Sequence, residues 1–237
     1  MGRRGVSPVA TLARPRSKSS VRPRPERAPV TGQPERIGVL GGTFDPPHIG
    51  HLWLATLAAD ALQLDRVLFM PAGQPPHKRG RKLTSAADRL LMTRLAIAGD
   101  PTFGLSAIEI ERPGPSFTID SVAELLRLYA SARLYLLMAA DSLAQIESWR
   151  EPERLLTLVE WAIGPRPGTT QPDRADVVRR FGRGASRIHL LDGPSLDVSA
   201  SEIRGRVAAG KSIRYLVPRA VEELIVERGL YRRARQG

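Results

Sequence analysis

Gly41-Gly42-Thr43-Phe44-Asp45-Pro46-Pro47-His48-Ile49-Gly50-His51 follows directly on the apolar run Ile37-Gly38-Val39-Leu40. Two glycines without a Cβ let the backbone turn sharply and come close to a ligand. Leu52, Leu54, Ala55, Leu57, Ala58, Ala61 and Leu62 then recur with helical spacing, so a helix opens near Ile49. His48 and His51 are three apart and share one face of its first turn. Free N–H groups and the positive end of the helix dipole meet there, an arrangement suited to an anion. A strand, a glycine turn and a helix start with two histidines therefore predict a phosphate site.

Outward from this stretch the chain alternates. Short apolar runs predict strands at 37–41, 66–71, 105–109, 134–139, 161–164 and 188–191. They carry little polar alternation, as in a sheet covered on both faces. Helical patterns lie at 49–62, 86–98, 119–130 and 152–159. Two more, at 199–209 and 218–228, close the chain, the last with Pro218 in its first turn. Strands spaced by helices imply βαβ units, so the expected fold is α/β: a Rossmann-like, doubly wound, mostly parallel sheet with helices on both faces and a helical C-terminus. Ligands in such sheets sit at the carboxyl ends of the strands, where the strand order switches, and 41–51 falls at that place.

The 237 residues suffice for one full core, with apolar content of 42%. Cysteine is absent, which excludes disulfides and thiolate metal sites and agrees with a cytoplasmic setting. No run approaches the length of a membrane span. The net charge of +12 points toward polyanions until its distribution is read. Residues 1–36 hold nine Lys or Arg against two acids, seven of those twelve charges. They also hold proline at 8, 15, 23, 25, 29 and 34 and show no apolar period, so they are expected to be a disordered basic tail before a domain at 37–237. A nucleic-acid-binding arm is an alternative for the tail. The domain is only mildly positive, which suits phosphorylated small molecules at least as well as a polynucleotide.

Downstream segments add polar groups at strand ends and helix starts. Pro75-Pro76-His77-Lys78 ends a Pro/Gly loop after the second strand, and the Lys78 ammonium suits a phosphate as a point charge. In Gly114-Pro115-Ser116-Phe117-Thr118-Ile119-Asp120, Ser116 or Thr118 is placed to cap the following helix. Asp141, after the fourth strand, is placed to accept from ribose hydroxyls or to cap a helix, and Trp149 lies eight residues on. Gly164-Pro165-Arg166-Pro167-Gly168 is a turn after the fifth strand. In Val198-Ser199-Ala200-Ser201-Glu202-Ile203-Arg204, hydroxyls sit at a helix start and Arg204 projects over the same turn, a second grip for phosphate.

The opening string resembles the His-x-Gly-His signature of the nucleotidyltransferase superfamily, and its longer form is most similar to bacterial nicotinate-nucleotide adenylyltransferases. Pro75–Lys78, Ser116–Thr118, Asp141 with Trp149, Arg166 and Val198–Arg204 resemble further segments of that family, so the likeness spans about residues 37–231. Some positions depart from its pattern: Phe117 stands for the common tyrosine, Ala139 for the usual glycine, and Val198, Ala200 and Ser201 are conservative replacements in the last segment.

The resemblance implies transfer of the adenylyl group of ATP to nicotinate mononucleotide, with Mg²⁺ carried mainly by ATP. It implies catalytic roles for His48, His51, Lys78 and Arg204. ATP contacts would come from Gly41, Gly42, Thr43, Phe44, His48, His51, Asp141, Ser199, Ser201 and Arg204. Mononucleotide contacts would come from Thr43, Lys78, Thr118, Trp149, Arg150 and Arg166, with no metal held by the chain itself. The alternatives are another phosphorylated acceptor, such as nicotinamide mononucleotide or phosphopantetheine, and a non-catalytic nucleotide- or RNA-binding protein. Expected partners are therefore small molecules rather than membranes or nucleic acid, with a homo-oligomer left open.

Overall fold

The computed structural model of the chain describes residues 33–76, 80 and 83–232. The expectations for the leading tail up to residue 32, for His77 and for Lys78 lie outside the described residues. Six strands, β1 (Arg36–Gly42), β2 (Arg66–Pro71), β3 (Phe103–Leu105), β4 (Arg133–Ala139), β5 (Glu160–Gly164) and β6 (Ile188–Leu190), form one parallel sheet in the order β3-β2-β1-β4-β5-β6. Its helices are α1 (Ile49–Ala61), α2 (Ala86–Ile97), α3 (Ile108–Glu111), α4 (Thr118–Leu128), α5 (Ala140–Ala144), α6 (Pro152–Leu158), α7 (Arg174–Phe181), α8 (Ala200–Ala208) and α9 (Arg219–Glu227). The strand order reverses between β1 and β4, so the crevice of this Rossmann-like fold opens at the end of β1. No described helix is long and apolar enough to cross a membrane.

Side chains alternate across the sheet. Val39, Leu136, Met138 and Ile163 face α4, α5 and α6, packing on Ile119, Val122, Leu143 and Leu155. Leu40, Phe69, Tyr135 and Leu137 face α1 on the other side. There Ala55, Ala58 and Ala59 are fully buried, and side chains that small let the helix lie close on the strands. A third core joins Met92 and Ala96 of α2 to Ile203 of α8 and to Val221, Leu224 and Ile225 of α9. The C-terminal helices are thereby fastened beside the crevice.

Among the elements that differ from the sequence reading are the first strand, the third strand and α7. The first strand begins at Arg36, whose N–H donates to Asp65 Oδ2 at 2.8 Å, so Arg36 belongs to the sheet rather than to the tail. The third strand is Phe103–Leu105 rather than 105–109. Its last ladder bond runs from Ser106 N to Phe69 O, after which Ile110 N and Glu111 N turn back onto Ala107 O and make α3. Helix α7 has no counterpart in the reading, although Asp173 and Asp176 form a capping box at its start.

The loops at the carboxyl ends of β1 and β2 are held from beneath by Arg89 of α2. This side chain is 2% exposed. Its Nη1 donates to Thr43 O (3.0 Å) and Ala72 O (2.5 Å), its Nη2 to Gly73 O (3.0 Å) and its Nε to Thr84 O (3.1 Å). Burial pushes its pKa down, opposed by the charge of Asp45 and by Tyr231. Arg89→Met keeps much of the volume and leaves four carbonyls without this donor. It is expected to lower the unfolding free energy by about 2–4 kcal/mol in denaturant titrations. A loss near zero would mean that these carbonyls are served from elsewhere.

Candidate active site

After β1 the chain runs through Gly42 and Thr43 to Phe44, which takes φ +49, a left-handed conformation uncommon for a residue with a Cβ. This turn drives the Phe44 ring into the core, 1% exposed, edge-on to His51 with centroids 4.9 Å apart and 5.9 Å from Phe69. A Cβ on Gly42 would stand 3.1 Å from that ring. Phe44 is therefore a support under His51 and not a lining residue, which corrects its expected contact with ATP.

His48 is the N-cap residue of α1, and His51 is the third residue of the helix. Their rings stack with centroids 3.7 Å apart and 30° between planes. The backbone N–H of His48 donates to His51 Nδ1 at 3.1 Å. With Nδ1 accepting, a neutral His51 ring carries its hydrogen on Nε2, where it is a donor. His48 is 4% exposed, and its buried Nδ1 has no hydrogen-bond partner among the described residues. Burial first, and the Arg166 charge second, push its pKa down to about 4. It is a neutral imidazole at pH 7. Gly50 is required by the same packing, because a Cβ there would lie 2.9 Å from Val198 Cγ1 and 3.1 Å from His48 Nδ1.

These histidines line a cleft of about 880 Å³ at the switch between β1 and β4. Gly41, Gly42 and Thr43 form part of one wall. Arg166 reaches it after β5, donating to Val198 O at 3.3 Å with its Nε 3.6 Å from Asp141 Oδ2. Ser199 caps α8, its Oγ accepting from Glu202 N at 3.1 Å. Arg204 is oriented from two sides, Nη1 donating to Asp45 O (2.7 Å) and Nη2 to Ser201 Oγ (3.0 Å). Asp45 is itself buried and accepts from the Tyr231 hydroxyl at 2.7 Å, so the C-terminal segment steadies the histidine turn.

The far wall is made by the start of α4, the loop after β2 and the segment before α6. Thr118 is the first residue of α4 and Phe117 its N-cap, with no side-chain cap. Neither Ser116 nor Thr118 therefore caps this helix as expected. Ser116 turns its hydroxyl to the loop after β2, accepting from Gly73 N (3.0 Å) and Gln74 N (3.1 Å). Trp149 lies half-buried on this wall. Arg150 stands 5.0 Å over the Phe117 ring and 3.5 Å from Asp120 Oδ2. Glu109 is 6% exposed and also lines the cleft, its pKa raised by burial and held back by bonds from Ser121 and Ser116 and by Arg112. Ala139, at φ −87 and ψ 160, sits in ordinary extended backbone, so its methyl strains nothing and adds to the wall beside Asp141.

Residues 39–206 match the cytidylyltransferase-like family. The chain is 47% identical over 197 residues to a probable nicotinate-nucleotide adenylyltransferase of Thermomicrobium roseum, covering 83% of this chain and 92% of that protein. It is 46% identical over 196 residues to one from Roseiflexus, covering 83% and 98%. The chain belongs to the nicotinate-nucleotide adenylyltransferase family. The fold also matches that of the Plasmodium falciparum nicotinic acid mononucleotide adenylyltransferase complexed with NaAD, with a TM-score of 0.71 at 19% identity over 83% of this chain and 97% of that one.

Of the positions expected to serve this adenylyltransferase site, the cleft gathers Gly41, Gly42, Thr43, His48, His51, Thr118, Asp141, Trp149, Arg150, Arg166, Ser199, Ser201 and Arg204. Asp45, Arg89, Glu109 and Ser116 escaped the reading as supports of the site. Their signals were an acid inside the histidine motif and charged residues falling on otherwise apolar faces. The buried His48 has a consequence for stability. Between about pH 6.5 and pH 4 the unfolded chain binds a proton at this residue that the folded chain does not. Stability therefore falls as pH drops through that window, by up to about 3 kcal/mol, and is untouched by this group above it. Denaturant titrations across the window should show a shallower decline for His48→Gln than for the wild type. Parallel declines would refute the assignment.

Proposed function

We infer that the chain transfers the adenylyl group of Mg·ATP to nicotinate mononucleotide, giving nicotinate adenine dinucleotide and pyrophosphate. The observation that supports this most is the meeting of two chemically distinct walls in one cleft. One wall presents His48, His51, Arg166, Ser201 and Arg204 around two helix starts, a set of donors and positive charge for the phosphates of ATP. The other presents the uncapped start of α4 with Trp149 and Arg150. A helix N-terminus and a guanidinium favour the ring carboxylate of nicotinate, and a flat indole suits a pyridine face. A neutral amide gains less from that positive end, which favours nicotinate over nicotinamide.

A phosphate oxygen of the mononucleotide attacks the α-phosphorus of ATP in line. The new P–O bond forms as the bond to the β-phosphate bridge breaks, and the electron pair leaves with pyrophosphate. The nucleophile is already anionic, so the chemistry rests on positioning and charge stabilisation. His51 donates through Nε2 to phosphate oxygen, and neutral His48 contacts phosphate without adding a buried charge to the free enzyme. Arg204 and Arg166 answer the charge that develops on the leaving group. Lys78 enters as a further phosphate contact on the chemistry of its ammonium alone.

The described residues contain no group of three His, Cys, Asp or Glu placed to hold a metal ion. The cleft carboxylates are already engaged, Glu109 by serines and Asp141 by Arg166. We take Mg²⁺ to enter with the substrate Mg·ATP, held mostly by phosphate oxygens and water as this ion ordinarily is.

Pyrophosphate release from Mg·ATP should be fastest with nicotinate mononucleotide in a panel with nicotinamide mononucleotide and phosphopantetheine. Activity confined to phosphopantetheine would overturn the substrate assignment. His51→Ala should retain the fold and lose roughly 10²–10³ in turnover, the usual cost of one transition-state donor. Turnover close to wild type would remove His51 from the mechanism.

A further inference from the structure

The two loops of the acceptor wall are joined through one serine hydroxyl. Ser116 is buried, and its Oγ accepts from both Gly73 N and Gln74 N. Its own N–H donates to Gln74 O at 2.9 Å, closing the contact from the backbone side. With both lone pairs of the hydroxyl oxygen in use, its hydrogen is left for the Glu109 carboxylate, which lies close enough for Ser116 to hold its burial-raised pKa back. Glu109 Oε1 also accepts from Ser121 Oγ at 2.6 Å. Ser121 in turn takes a bond from Arg112 Nη1 at 3.1 Å, and Arg112 is paired with Glu124 of α4.

This network ties the loop after β2, more than forty positions before Ser116 in the chain, to the consecutive short α3 and the first turns of α4. The approach is close, since a Cβ on Gly73 would stand 2.0 Å from the carbonyl oxygen of Glu109. A buried carboxylate in a cleft for two phosphorylated substrates opposes their binding by its charge. What it offers in return is acceptor capacity: two oxygens with about four lone-pair sites for the serine hydroxyls around it, where a glutamine amide has one acceptor oxygen.

We propose that Glu109, acting through Ser116, is a positioning residue that sets the spacing between the Ala72–Pro76 loop and the Phe117–Thr118 entry of α4, and so governs binding of the mononucleotide but not of ATP. The proposal rests on the reading of this wall as the acceptor site. The ATP wall is built from the β1–α1 turn, Arg166 and α8, none of which bonds to Glu109 or Ser116 among the described residues.

Ser116→Ala removes the shared acceptor, and Glu109→Met keeps the volume while removing the carboxylate. Each should raise KM for the mononucleotide about tenfold, the scale of one or two buried hydrogen bonds. KM for ATP should stay within about twofold and kcat within about threefold. Because both residues serve one relay, the double variant should be no worse than the poorer single variant. KM values that rise together, an unchanged mononucleotide KM, or losses that multiply in the double variant would overturn the proposal. If Glu109→Met does not fold, as thermal unfolding would show, the KM split of Ser116→Ala decides alone. The wild type is first assayed with the acceptor panel and the split is read with whichever mononucleotide it uses. A wrong substrate is thereby distinguished from a wrong relay.

Discussion

The site depends on one buried cation. The Arg89 guanidinium satisfies carbonyls from the loop after β1, the loop after β2 and the entry to α2. A rigid planar fork with five donors is suited to this, whereas an ammonium has three donors on a flexible stem. Burying such a charge is costly. Here the cost is met by four charge-assisted bonds and by the nearby carboxylate of Asp45. Asp45 in turn takes the Tyr231 hydroxyl, whose pKa is raised chiefly by burial, and offers its carbonyl to Arg204. Arg89, Asp45, Arg204 and Tyr231 are thus one network that reaches from α2 to the end of the described chain. The core between α2 and α9 gives it a rigid base, so the C-terminal helices belong to the site although they lie outside the sheet.

The same economy of charge explains the histidine pair. Two imidazolium rings 3.7 Å apart beside two arginines would repel one another. Burial and Arg166 keep His48 neutral, and the backbone bond to Nδ1 turns the donor of a neutral His51 outward. Positive potential at the donor wall then comes from guanidinium groups and helix starts, which are fixed before substrate arrives. Fixed dipoles and charges need no reorganisation during the reaction, the condition under which electrostatic stabilisation is strongest. The left-handed turn at Phe44 belongs to this pre-set geometry, because it places the ring that carries His51.

What was legible in the sequence follows the range of the interactions. The donor wall is largely local: β1, the glycine turn and α1 are contiguous, so their periodicity and spacing lay out this side of the cleft directly. Val198–Arg204 is legible for the same reason, since a Ser cap and an Arg on one turn form a motif within seven residues. The parallel sheet followed from apolar runs without alternation, because both faces are covered. Residues 105–109 read as a strand because Leu105, Ala107 and Ile108 make a short apolar run. Nothing in that run marks Glu109 as a buried carboxylate. The carboxylate is instead drawn inward by Ser121, twelve positions on in a different segment, and the chain coils to deliver it. Phe44 was misplaced on similar grounds, for its neighbours in the motif face ligand space and only the turn at its own Cα sends it the other way.

The supports share one property that hides them. Arg89, Glu109 and Ser116 bond mainly to backbone groups or to residues more than ten positions away, and a bond to a carbonyl leaves no trace in the partner's identity. Glu109 is the sharpest case. By charge alone it is a poor choice for a wall that receives phosphates, and by burial alone a poor choice for a core. It is explained only when the serines around it are seen together: Ser121, which donates to it, and Ser116, which holds the loop after β2. A carboxylate kept where both its charge and its burial are unfavourable indicates a geometric requirement strong enough to outweigh both. In this fold that requirement is the distance between the loop after β2 and the first turn of α4, the two edges between which a flat, anionic ring would be gripped.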